Sequence, residues 1–210
     1  MITRTQHILN HLKGPTILDI GCAGQALTPG SPNWLHGAIQ SRFPDTYGID
    51  INSESIDELI NLGYKNIYVA SAETFKLEKD FDTIVAGELI EHLENPGLFL
   101  DNAKNHLKKE GQLLITTPYP FSLMNILYAF YKYPETSSNP EHTCWFCPSN
   151  IYSLADRTGY TIDRIELIED YDPTKSSRIY RIFIRFIQVF RWLIPDRLKN
   201  NTMLILMKPK

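Results

Sequence analysis

Short apolar runs typical of buried strands alternate along the chain with segments whose apolar positions recur at helical spacing, the pattern of βαβ units around a parallel sheet. The first run, Thr16-Ile17-Leu18-Asp19-Ile20, is followed by Gly21 and Gly24; the second, Tyr47 to Ile51, carries Asp50 near its end. Between them 34–43 reads as a helix opened by Pro32. Residues 53–62 read as another, with Glu54, Asp57 and Glu58 near its positive end and Gly63 closing it. Strands are predicted over 66–70 and 82–86, a helix from the Asn95-Pro96 cap to about Leu107, and a fifth strand over 112–117 after Gly111. Beyond Pro118 the pattern loosens into an apolar stretch at 121–131, a polar loop to about Pro148, a helix over 149–158 and a strand over 160–168. A helical segment at 177–193 and a last strand at 203–207 follow, making seven strands in all.

Composition narrows the class without naming it. A chain of 210 residues, 43% hydrophobic and 21% charged, fits one globular domain, and the whole of 1–210 is read as such. With 21 basic against 24 acidic residues and a formal net charge of -3, no global field draws a polyanion, so nucleic acid is not an expected partner. The N-terminal stretch lacks the apolar core of a secretory signal, and no segment reaches the ~20 apolar residues that a bilayer span requires. A cytoplasmic address is the expectation, and Cys22, Cys144 and Cys147 read as reduced thiols rather than as a disulfide framework.

Chemistry enters at the strand ends. In an open parallel sheet, ligands bind beyond the carboxyl ends of the strands where strand order reverses, which places Asp19, Gly21, Gly24 and Asp50 around one crevice. A dinucleotide would set its pyrophosphate against this loop and calls for G-x-G-x-x-G, whereas the sequence reads D-I-G-C-A-G. One G-x-x-G beside a carboxylate suits a ligand with a cationic amine and no phosphate, as at the methionine end of S-adenosylmethionine. Asp50 is placed to accept hydrogen bonds from ribose hydroxyls.

These motifs carry a family resemblance. TILDIGCAG, YGIDIN, FDTIVAGELIEHLENP and GQLLITTP resemble the motifs of class I, Rossmann-like, S-adenosylmethionine-dependent methyltransferases, in particular the small-molecule group that includes ubiquinone-biosynthesis-like enzymes. EHTCWFCPSNIYSLADRTGY resembles the H-x-x-x-F-x-P segment that precedes a helix in many of them. The resemblance implies a doubly wound, mostly parallel seven-stranded sheet of order 3-2-1-4-5-7-6, strand 7 antiparallel, with helices on both faces. It makes 118–150 and 174–200 acceptor-side or accessory insertions. It also implies that Gly21 and Gly24 line the methionine moiety, Asp50 the ribose, Ile51 the adenine and Ser71-Ala72-Glu73 the adenine edge, while Gly87 and Glu88 lie beside the sulfonium; Asp19 and Cys22 are further cofactor-binding candidates. Ser71 stands where the family often has an Asp, and is a weaker acceptor for the adenine amino group.

Plainer readings stand beside these. The glycines could serve only a tight turn, and Asp50 could cap the following helix. His92 and His142 are candidate general bases, though the first could simply pack and the second could order its loop. His142, Cys144 and Cys147 offer three zinc-type ligands crowded together with no matching second pair, so no metal is expected. Residues 177–193 combine Arg178, Arg181 and Arg185 with an apolar side that could cover the sheet, meet an anionic membrane or a lipid-linked acceptor, or bind a second copy. The aromatics Tyr119, Phe121, Tyr128, Trp145 and Phe146 suggest a flat or apolar small-molecule acceptor, or a core. The expected function is methyl transfer to a small molecule, sugar or lipid-linked acceptor, at oxygen; a cofactor-binding partner subunit and a nicotinamide-dependent oxidoreductase are the alternatives.

Overall fold

The structure, a computed structural model, describes residues 2–24, 29, 31, 34–131, 139–170 and 191–210. Its frame is a sheet of β1 (Ile17–Ile20), β2 (Tyr47–Asp50), β3 (Ile67–Val69), β4 (Phe81–Gly87), β5 (Leu107–Pro118), β6 (Tyr160–Ile168) and β7 (Thr202–Pro209). The order is β3-β2-β1-β4-β5-β7-β6. β1 pairs in parallel with β2 and β4, and β7 runs antiparallel between β5 and β6. Strand order reverses between β1 and β4, so the carboxyl ends of those two strands open onto the crevice expected of a doubly wound sheet.

Alternation along each central strand explains the two layers. Ile17, Val85, Leu114 and Leu204 face one side, against Ile8 of α1 (Arg4–His11) and Ile39 of α2 (Leu35–Arg42). Leu18, Ile84, Ala86 and Ile115 face the other, against Phe99, Leu100 and Ala103 of α4 (Pro96–Asn105) and Ile151 and Ala155 of α6 (Pro148–Arg157). Between these come α3 (Ser53–Asn61), which joins Trp34 and Ile67 in a third cluster, and α5 (Leu123–Tyr131); α7 (Asp196–Lys199) is a single short turn before β7.

Caps set the helix starts. Asn52 accepts from the Ser55 amide and opens α3, and Asn95 accepts from the Leu98 amide with Pro96 at the first position of α4. Two elements differ from the sequence expectation. The first is α1, which was not anticipated although Thr3 and Gln6 form a capping box at its start. The second is β5, which begins at Leu107, paired with Phe81, so Gly111 lies inside the strand rather than before it. A Cβ on Gly111 would sit 2.9 Å from the carbonyl oxygens of both Lys108 and Phe81, which is why glycine occupies this irregular stretch. The helical segment expected at 177–193 lies outside the described residues up to 190; Arg191–Leu193 form a 3-10 turn. Among the described residues no helix is long and apolar enough to cross a membrane.

Candidate active site

The bend leaving β1 is held from three sides. Gly21 and Cys22 donate their amides to the Ile49 carbonyl at 2.8 and 3.2 Å, which folds the bend back onto β2. Asp50, at the end of β2, accepts the amides of Ala23 and Gly24 at 3.0 and 3.3 Å on one oxygen and that of Asn52 at 2.9 Å on the other. Trp34 donates its indole N–H to the Cys22 carbonyl at 2.8 Å. Gly21 and Gly24 have φ of +82° and +58°, a left-handed backbone that side chains disfavour. A Cβ on Gly24 would meet no described residue within 4 Å.

Asp19 lies beneath this bend, only 1% exposed, with one oxygen 3.1 Å from Nδ1 of the fully buried His36 on α2. Burial raises its pKa, His36 opposes that through its hydrogen bond and charge, and the nearby Asp50 carboxylate adds to the rise. The Cys22 thiol is likewise pushed up by burial. On the far side of Asp50, Ile51 is 75% exposed. Ala70 donates to the Asp50 carbonyl at 2.9 Å, which brings the next turn alongside. There the Ser71 hydroxyl accepts from the Glu73 amide at 3.3 Å, Ala72 is buried, and Glu73 accepts from the Asn95 amide at 2.8 Å.

A second group gathers at the carboxyl end of β4. Gly87 gives way to Glu88, whose φ of +53° is left-handed and whose amide donates to the Thr116 carbonyl at 2.9 Å and hydroxyl at 3.2 Å. Arg4 of α1 reaches over to Glu88 at 3.5 Å and to Asp170 at 3.4 Å. Burial raises the Glu88 pKa; Arg4 opposes this and Asp170 adds to it. One 3-10 turn further, Glu91 is 1% exposed, and among the described residues the polar group facing its carboxyl is the buried Thr117 hydroxyl, which opposes the rise in its pKa without meeting full hydrogen-bond geometry. Burial, reinforced by the Glu88 carboxylate, lifts the Glu91 pKa to about 8.

The loop before α6 is stitched onto this turn. Thr143 donates its amide to the Glu91 carbonyl at 2.8 Å and its hydroxyl to the Leu93 carbonyl at 2.8 Å. That brings the His142 ring edge-on to His92, 4.8 Å between centroids, with Trp145 on its other side at 5.9 Å. Burial and His92 together depress the His142 pKa. Glu91, His92 and His142 each present an oxygen or nitrogen within 4.8 Å of one another, a set able to pass a proton or to accept a cation.

Residues 2–165 match a family model described as a methyltransferase domain. The chain belongs to the methyltransferase domain family. It is similar to a ubiquinone biosynthesis O-methyltransferase of Rickettsia akari (strain Hartford), at 26% identity over 186 residues covering 82% of this chain and 69% of that one. Its fold is similar to that of a SAM dependent methyltransferase from Archaeoglobus fulgidus, with TM-score 0.64 and 19% identity over 98% of this chain and 91% of that one. It is also similar to a glycopeptide N-methyltransferase solved with (S)-adenosyl-L-methionine, with TM-score 0.64 and 10% identity over 98% and 86% of the two chains. The nicotinamide alternative raised by the sequence gives way to this family match.

In this methyltransferase the bend residues Gly21, Cys22 and Gly24 adjoin Asp50, and Ile51 and Ser71 follow on the same rim; Gly87, Glu88, His92 and His142 assemble at the end of β4. Asp19 departs from the expectation that it faces the crevice openly, since its carboxyl is enclosed and turned to His36. Cys144 and Cys147 do not join His142 in a ligand-type cluster among the described residues; His142 groups instead with Glu91 and His92. Cys147 caps α6, its amide donating to Asn150 at 2.7 Å. Arg4, Trp34, His36, Glu91 and Thr117 were missed. Of these only Glu91 had a local signal, its place beside His92 in ELIEHL; the others reach the site through tertiary packing alone.

Proposed function

We propose that this methyltransferase moves the methyl group of S-adenosylmethionine to a hydroxyl oxygen of a small acceptor, a sugar or a lipid-linked molecule. The observation that carries the reading is the adjacency of two features across the neighbouring strands β1 and β4. One is a glycine bend fixed by Asp50, and the other a carboxyl–imidazole cluster of Glu91, His92 and His142 just beyond Glu88. The bend fits the cofactor. A Cβ on Gly24 would meet no described residue, the exposed Ile51 offers an apolar face for a purine, and Asp50 lies between them for the ribose. Gly21, Cys22 and Gly24 would hold the methionine portion, Asp50 and Ile51 the nucleoside, Ser71, Ala72 and Glu73 the adenine edge, and Gly87 and Glu88 the side nearest the acceptor. When bound, the cofactor supplies a methyl group already activated on a sulfonium, so the chain's own work is orientation and proton handling.

His142 suits the second task. With its pKa held below the ordinary imidazole value, it is unprotonated at neutral pH and able to take the acceptor's hydroxyl proton, with His92 against it. An O-methyltransferase name on the Rickettsia akari relative supports oxygen as the receiving atom. Trp192 is 78% exposed and Leu193 is exposed too; with Arg178, Arg181 and Arg185 in the sequence before them, they favour an acceptor met at a lipid surface. The test is mass spectrometry of a cell extract incubated with the protein and isotopically labelled methyl donor. A product carrying the label as a methyl ether, with S-adenosylhomocysteine formed alongside, is expected, and its loss with His142→Ala. Cofactor binding without any labelled product would favour a binding-only partner subunit instead.

A further inference from the structure

The pair formed by Asp19 and His36 is the one buried charged feature of the bend that its geometry does not need. Ile49, Asp50 and Trp34 already fix the backbone, and among the described residues the Asp19 carboxyl bonds to His36 and not to the bend. A carboxyl enclosed at 1% exposure is unfavourable unless it is partnered, and His36 is its hydrogen-bond partner, at 3.1 Å. The ring is fitted to that one task. It lies over Gly48, where a Cβ would come within 2.8 Å of its Cε1, and its Nε2 has no partner, so its polar link is the Nδ1 contact with Asp19.

Resting on the cofactor reading above, we infer that His36 is a positioning residue for cofactor recognition: it keeps the Asp19 carboxylate ionised beneath the glycine bend as a fixed negative charge for the ammonium of the cofactor's amino-acid end. Direct contact is not required, because a charge in a poorly solvated site acts over several ångströms. The charged and titratable groups around Asp19 are Asp50 from the end of β2, Arg4 from α1, Cys22 from the bend and His36 from α2. Burial and Asp50 both drive the carboxyl toward its neutral form, and His36 opposes them more strongly than Arg4 does. Without His36 the carboxyl loses the hydrogen bond and the charge that oppose its protonation, and its attraction for the ammonium weakens.

Two nucleoside probes separate this role from a structural one. S-adenosylhomocysteine carries the amino-acid end, and methylthioadenosine lacks it. In calorimetric titrations, His36→Phe, which fills the ring's space without a donor, is expected to weaken S-adenosylhomocysteine by about tenfold or more and methylthioadenosine by less than about twofold. His36→Asn, whose amide nitrogen stands near the position of Nδ1, is expected to regain most of the lost affinity. In His36→Phe the S-adenosylhomocysteine affinity should climb more steeply with rising pH than in the wild type, as the carboxyl ionises. Equal weakening of both probes, an unchanged S-adenosylhomocysteine affinity, or an Asn variant no better than Phe would overturn the inference. A wild-type protein that binds neither probe would sink the cofactor reading itself, and this inference with it.

Discussion

Asp50 performs two tasks with one carboxylate, holding the amides of the bend and that of Asn52 at the start of α3, so its removal should be felt at both. Asp50→Ala is expected to lower affinity for S-adenosylmethionine at least about tenfold, read by calorimetry, since each charged hydrogen bond contributes about 1.5–3 kcal/mol. Trp34→Phe removes only the bond to the Cys22 carbonyl and keeps most of the ring's packing; a loss of about 1 kcal/mol in urea unfolding is expected. Gly48→Ala would drive a methyl group to 2.8 Å from Cys22 Sγ and His36 Cε1 and 2.9 Å from Ile67. Overpacking of that kind is expected to destabilise by about 1–3 kcal/mol. Gly21, Gly24 and Asp50 could be singled out in the sequence because each stands at the end of an apolar strand run, where a left-handed bend or a strand-end acid leaves a local mark. His36 and Glu91 were not, because nothing local tells a buried imidazole or carboxyl from a solvated one.

Among the elements, the strands at the centre of the sheet could be read most directly: β1, β2 and β4 are short, covered on both faces and punctuated by glycine or acid at their ends. β5 was read too short because Lys108, Lys109 and Glu110 look like a turn, although backbone pairing with Phe81 carries the strand through them. α1 escaped notice since its apolar contribution to the core is a single fully buried Ile8 amid polar residues. Its anchoring also depends on tertiary partners, notably Arg4 reaching Glu88 and Asp170. Arg4→Ala is therefore expected to increase amide hydrogen exchange in 4–11 while leaving β1 and β4 protected, as measured by mass spectrometry.

At the scale of the whole molecule, three carboxyls near the site, Asp19, Glu88 and Glu91, have pKa values raised in the folded protein chiefly by burial. The folded state then binds more protons than the unfolded one between the ordinary carboxyl range and the raised values. Stability from this source is complete below that range and declines as pH rises. For Glu91 the window runs from the ordinary carboxyl value of 4.5 to about 8. Glu91→Gln should flatten the decline and leave the variant more stable than wild type at the upper end, by roughly 2–4 kcal/mol in urea unfolding. Asp82 and Glu166 have lowered values and act in the opposite sense, losing their contribution as pH falls. The placement of β7 bears on how the chain is made. Among the described residues strand β6 pairs with β7 alone, and β7 follows β6 in the chain. While the ribosome is still translating, residues 160–168 have no strand to dock on and β5 presents a bare edge. The outer half of the sheet therefore closes only when residues 202–209 emerge and slide in between, and a chaperone that shields the β5 edge would act during that interval.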